Sequence, residues 1–569
     1  MTWRASCWLA VALPIAAGVQ DQREQYDAEA PKTIFELQQF RQSTSISISA
    51  KAGAATLVNL NPAINSWYIL ELRFGANPVV SYHIENGNPE QKLTLDGDFP
   101  SGLVIFEGKR RTNCELFASA SANALERARS SPLVYYPLCD GRVYLRNPAP
   151  GHSTTLEAAT EFLRQHLWGS EKIIALGHVL MGDANRETGD LEVDSRPGSA
   201  AQLVGSPAPA LLDTKFSERL LTSANLGIIL DKPEKNGLKP GAWYPASANP
   251  GVFVSILEPN LIDPKILGSY SAHVNHLDNR EGSAMCYLVA FDHDRYQIGY
   301  ELGTEHPKVG WSEHVLEQQR DSKLPGPDGI GTFSPLVATG LVSPEAAGKT
   351  IATFVGGFKR AHGAFKYGDL ARKNHGSHYG FVEQGVVLSK LQPGLATIYV
   401  LNDGSVDLKT WMEQDNRLLP RIRHARQNGV PIVEFDSTSQ TGIPGALVNR
   451  WGAGNWSGSE DMKLRTMRAG LALARHGRKR FLVYAVFSDA TPSAMARVFQ
   501  AYQCDYAMLL DMNALEHTYM ALYRRVGSQL LVDHLVKGMD VFEKSAADEI
   551  VPRFLGYADN RDFFYVTRR

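Results

Sequence analysis

The chain has 569 residues, more than one hydrophobic core usually supports, so two or three domains are expected. Its 44% apolar and 21% charged residues are those of an ordinary globular protein. A formal charge of -2 supplies no basic field for nucleic acid, and no repeat or long low-complexity segment is present.

At the start, Arg4 precedes the apolar run "CWLAVALPIAA", which ends in Ala16, Ala17 and Gly18. This is the pattern of a signal peptide over 1–18, too short to span a bilayer, and it predicts an exported protein. Residues 19–44 read as a polar leader carrying one short helix, "TIFELQQFRQS". Beyond it, 45–193 carries short alternating runs such as "SISISAKAG", "WYILELRF" and "GLVIFEG", which predict an antiparallel β-sandwich. In an oxidising compartment Cys114 and Cys139 are the natural disulfide pair, stabilising the fold by roughly 3 kcal/mol through the unfolded state. Cys286 and Cys504 lie in apolar runs and read as buried thiols. A helical segment, "TTLEAATEFLRQHLWG", follows, and the Pro/Gly/Ser/Ala-rich stretch 194–213 reads as a linker.

The remainder, 214–569, is a second domain in which "GVFVSILEP" and "AMCYLVAFDHDRYQIGYELGTEHP" read as strands. Its clearest local structure is "FLVYAVFSDATPSAMARVFQAYQCDYAMLLD". The apolar run 481–487 predicts a buried strand, Thr491 a helix cap, and Pro492 the first helical position. Met495, Val498, Phe499 and Tyr502 share one helical stripe, and "YAMLL" is the next strand. A strand–helix–strand crossover makes the two strands parallel and gives an α+β or α/β fold for this domain. Ser488, Asp489 and Asp511 then leave the carboxyl ends of their strands on one edge, where the helix N-terminus presents free N–H groups to an anion.

Three segments, "FVGGFKRAHGAFKYG" (354–368), "QPGLATIYVLNDGSVDLKTW" (392–411) and the run 464–523, together resemble the phosphodiester glycosidase domain family. The resemblance spans roughly residues 225–525. The family's Asn-Gly-Gly-Phe is Val355-Gly356-Gly357-Phe358 here, and its Arg-Thr is Arg465-Thr466. Gly470 falls one residue late, so Arg468 is an alternative match. Its Asp-Gly-Gly-Gly-Ser is Asp511-Met512-Asn513-Ala514-Leu515, which keeps the aspartate and loses the glycines.

The resemblance implies cleavage of a glycosidic bond to phosphate without a cofactor. Asp511 would be the carboxylate that attacks or stabilises the sugar carbon, with His517 as base or orienting partner and Asp489 on the same edge. Arg465 or Arg468 would hold the phosphate, and Gly356, Gly357, His362 and Asn513 would line the substrate cleft. Further candidates are Glu434 and Asp436 on one strand face, His375, His378 and Glu383 in a Gly-rich segment, and Trp451 and Trp456 as sugar platforms. Glu516 reads as a solvated residue. Two functions follow: hydrolysis of a sugar phosphodiester of envelope or exported polysaccharide, or a non-catalytic glycan- or partner-binding protein on a degenerate glycosidase fold. Neither calls for a transmembrane segment.

Overall fold

A computed structural model describes residues 33–152, 205–358, 379–453 and 465–569, apart from 49–52, 118–123, 223, 232–236, 306–309, 312–316, 318–329, 528 and 547–548. The segments read as a signal peptide and as a helix after the second cysteine, and most of the expected linker, lie outside the described residues.

Strands dominate, and they form six sheets among the described residues. Six strands, in spatial order Gln42–Ile48, Gly53–Asn59, Trp67–Phe74, Val80–Asn86, Val143–Arg146 and Tyr135–Leu138, make one antiparallel sheet. Lys92–Asp96, Phe99–Glu107 and Arg110–Glu115 make a second sheet packed against it. The period-two alternation of the third strand shows how both faces are used. Tyr68, Leu70 and Leu72 enter the core between these two sheets, while Trp67 and Ile69 enter the larger core of the remaining chain. Cys114 and Cys139 form the expected disulfide, and Cys286 and Cys504 are buried and free.

The leader differs from expectation. Residues 33–40 form turns rather than a helix, because Gln38 is spent on another strand. Its amide nitrogen donates to Val387 O at 2.7 Å and its oxygen accepts from Val387 N at 2.9 Å. Ile34 and Leu37 are thereby seated in the main core.

The main sheet has eight strands, in the order Tyr244–Pro245, Val252–Leu257, Cys286–Asp292, Lys479–Ala490, Thr466–His476, Cys504–Met512, Val433–Asp436 and Thr441–Pro444. Two five-stranded sheets accompany it. One runs Tyr296–Glu301, Phe563–Arg568, Thr350–Val355, Met520–Val526, Gln529–His534; the other runs Val386–Ser389, Phe381–Glu383, Ile422–Gln427, Ala396–Leu401, Val406–Thr410.

This corrects the α+β or α/β assignment of the second domain: the protein is mostly β-sheet, with a sandwich-like architecture. The strand–helix–strand unit exists, with Thr491 capping Ala494 N and Pro492 at the first helical position of Pro492–Ala501. Lys479–Ala490 and Cys504–Met512 do run in the same direction. They are not neighbours, however, because Thr466–His476 lies between them and pairs antiparallel with both. That strand turns back on Lys479–Ala490 through Gly477 at a φ of 61°, a conformation glycine adopts without strain. Gly470 lets the helix approach the sheet, since a Cβ there would lie 2.9 Å from Met495 Cε.

Candidate functional site

A break in the register of the main sheet decides which residues meet. Gly470 pairs with Leu509, yet Arg468 pairs with Met512, so Cys504–Met512 carries one extra residue at this point. Such a bulge shifts the alternation of side chains by one. Gly470 faces the helix, so Arg468 and its partner Met512 face the helix too, and the Arg468 Nη1 contacts Met512 Sδ at 2.9 Å. Asp511 is turned to the opposite face, toward the five-stranded sheet that ends the chain.

There Asp511 is buried, with 4% of its surface exposed. Oδ2 accepts from Arg561 Nη1 at 2.5 Å, and Oδ1 accepts from the Met512 N–H at 2.8 Å. His517 sits one short turn later. Its Nδ1 is 2.8 Å from the Met512 carbonyl, which only accepts, so Nδ1 carries the hydrogen. Nε2 therefore presents a lone pair to Arg561 Nη2 at 2.7 Å. Arg561 is thus gripped by a carboxylate and a neutral imidazole. The Nδ1–H tautomer makes His517 an orienting partner of Arg561 while that contact lasts.

The segment carrying Arg561 is itself anchored. Arg561 N donates to Asp559 Oδ1 at 2.9 Å, and Asp559 is held by Arg553 at 2.8 and 3.1 Å. Arg553 also donates to the Glu516 carbonyl at 2.9 Å. Next in sequence, Asp562 Oδ2 accepts from Arg426 Nε and from the Tyr300 hydroxyl, each at 2.7 Å. The Asp562 carbonyl accepts from Gly356 N at 2.9 Å, which brings the Gly-Gly-Phe turn beside Arg561. Asn428 ties that turn to the strand carrying Asp511. It accepts from Phe358 N at 3.3 Å and donates to the Leu509 and Leu510 carbonyls at 2.9 and 2.7 Å. Gly357 has a φ of 137°, and a Cβ there would lie 3.1 Å from Asn428 Oδ1.

Gly356, Gly357, Asp511 and His517 therefore converge. Arg465, Arg468 and Asp489 do not join them, which corrects the expectation that both acids share a site on one edge. Arg280 donates to Asp489, and Arg465 pairs with Asp278. At the helix N-terminus expected to bind an external anion, a carboxylate of the chain itself holds the cap residue. Glu281 Oε2 accepts from Thr491 N at 3.1 Å and from its hydroxyl at 2.8 Å. Burial, with the charge of Asp489 adding to it, raises the pKa of Glu281. Burial also lowers Arg468 to about 9, against the pull of Glu281 and Asp489.

Asn513 is exposed with a φ of 86°, and its N–H donates to the Met467 carbonyl at 2.8 Å. Its place is explained by the turn, because asparagine tolerates positive φ. Glu516, expected in solvent, is buried. Glu434 accepts from the Thr410 hydroxyl at 2.5 Å and lines a cavity of about 510 Å³ with Asp505 and Tyr506, at the far end of the strand from Asp511. Asp436 caps its own turn through Thr438 N and Ser439 N. Glu383 lies in a buried ionic cluster with Arg146. His362, His375, His378, Trp456 and the side chain of Trp451 lie outside the described residues. No group of acids, histidines and cysteines among the described residues has the arrangement of a metal site. No helix among them is long and apolar enough to cross a membrane.

Sequence reasoning missed Arg561, Asp562, Arg426 and Asn428. The available signal was "ADNRD" (558–562), four consecutive polar residues against an apolar final strand, and all four are buried.

No family model matches the chain, and no curated protein matches it. Among solved structures, the zebrafish N-acetylglucosamine-1-phosphodiester alpha-N-acetylglucosaminidase catalytic domain, auto-inhibited by its pro-peptide, is similar at 8% identity and a TM-score of 0.29. That match covers 66% of this chain and 100% of the other. A hypothetical protein from Synechocystis is similar at 11% identity and a TM-score of 0.25, over 88% and 97% of the two chains. Both likenesses are distant.

Proposed function

We propose that the chain is a hydrolase of glycosidic bonds with Asp511 as its reacting carboxylate, and that its substrates are glycosyl phosphodiesters. One observation carries this reading: Arg561 bridges Asp511 and His517 beside the Gly356-Gly357 turn. A phosphate leaving group is a weak base, so the reaction needs little acid catalysis. It does need a carboxylate beneath the sugar carbon and a cation for the departing phosphate. Arg561 keeps Asp511 charged and leads phosphate toward it, while His517 keeps the guanidinium in plane. Export after cleavage near Gly18 belongs to the same reading and is supported by the Cys114–Cys139 disulfide. So does the division into a sandwich over 45–193 and a second domain over 214–569.

A non-catalytic glycan- or partner-binding role is the second reading, favoured by one observation. Both oxygens of Asp511 are already engaged, and little of the residue is exposed. Turnover of a panel of glycosyl phosphodiesters by the wild-type chain and by Asp511→Asn separates the two. Binding without turnover in both proteins selects the second.

A further inference from the structure

Arg146 is fully buried where the N-terminal sheets meet the two five-stranded sheets. Its Nη1 donates to Glu85, and its Nη2 lies 3.4 Å from Glu301 Oε2 and 3.3 Å from Glu383 Oε1. Glu85 and Arg146 come from the N-terminal sheet, and Glu301 and Glu383 from one five-stranded sheet each. Four side chains therefore join three sheets, and three of them are acids facing a single cation.

Full ionisation would leave a net double negative charge with no solvent to screen it, which a buried cluster does not tolerate. Among the described residues, the surrounding groups offer no second cation. His83 is held neutral by burial and by the charge of Arg146. Burial likewise keeps Tyr135, Tyr300 and Tyr565 protonated. Arg423 stands beyond Tyr565, and Glu345 adds a further acid beside Glu85. Trp67 covers the guanidinium face at 4.3 Å.

We propose that Glu301 and Glu383 share one proton at neutral pH, and that this proton locks the N-terminal sheets to the rest of the chain until alkali removes it. Glu301 is the donor. Glu383 is already committed as an acceptor, since its Oε2 takes the Leu302 N–H at 3.1 Å and its Oε1 faces Arg146. Burial first, then the charge of Glu383, raises Glu301 well above the ordinary carboxylate range. The sign follows: the folded chain holds a proton that the unfolded chain has lost above pH ~4.5, so stability is greatest in acid and declines as pH rises toward the folded pKa.

The test is denaturant unfolding of the full chain and of Glu301→Gln between about pH 5 and 9. Glutamine keeps an N–H donor toward Glu383 without titrating, and the difference between the two proteins cancels His83, Glu281 and Arg468. The ratio of their unfolding constants should rise by up to about tenfold per pH unit. A ratio independent of pH overturns the proposal. Should Glu301→Gln fail to fold, infrared spectra of the wild-type chain give an independent reading. A protonated carboxyl band at pH 7 should disappear in alkali together with hydrogen-exchange protection of Val143–Arg146. Absence of that band at pH 7 overturns the proposal.

Discussion

Asp489 and Asp511 end two strands that run in the same direction, yet they lie in different surroundings. On the helix side, Asp489 reaches Arg280, whose side chain is 44% exposed. On the other side, Asp511 meets Arg561, whose side chain is 6% exposed. In the first pair the arginine can turn to water, although the Asp489 side chain is only 6% exposed. In the second neither partner can, so its geometry is fixed before any ligand arrives, which is the condition for electrostatic preorganisation. One inserted residue in Cys504–Met512 makes this difference, by sending Asp511 away from Arg468.

The comparison breaks most sharply at Arg561. Arg561→Met removes the cation beside a buried carboxylate and should cost about 3–5 kcal/mol in denaturant unfolding. The double variant Arg561→Met/Asp511→Asn should recover most of that loss. Gly357→Ala forces a side chain into a glycine-only conformation against Asn428 and should cost about 1–3 kcal/mol by the same measurement. Arg280→Met should cost less than Arg561→Met, about 1–3 kcal/mol, because Asp489 is buried but keeps the charge of Arg468 nearby. Equal losses for Arg280 and Arg561 would erase the distinction between the two faces.

Much of the local structure was legible in the sequence. The apolar run 481–487, the Thr491-Pro492 helix start and the next apolar strand leading to Asp511 follow from periodicity and capping alone. What pairs with what was not legible. Thr466–His476 is rich in alanine and carries arginine at both ends, so it gives no alternating signal, although most of it is buried. That strand turns an expected parallel pair into an antiparallel sheet, and it is the partner against which Cys504–Met512 breaks register beside Asp511. Arg561 comes from fifty residues further along the chain. Its run of buried polar residues has the composition of an exposed turn, and only the carboxylates, carbonyls and guanidinium groups waiting in the fold explain why it is buried. Gly356 and Gly357 were found through the Gly-Gly-Phe segment that carries the family resemblance; Asn428, which holds the turn, has no comparable mark.

The most direct test is steady-state turnover of glycosyl phosphodiesters by the wild-type chain and by Asp511→Asn, with folding of both verified by circular dichroism. The account predicts measurable wild-type turnover and a loss on the order of a hundredfold or more in the folded variant. Equal turnover in the two proteins, or none by the wild type on any member of the panel, would contradict it.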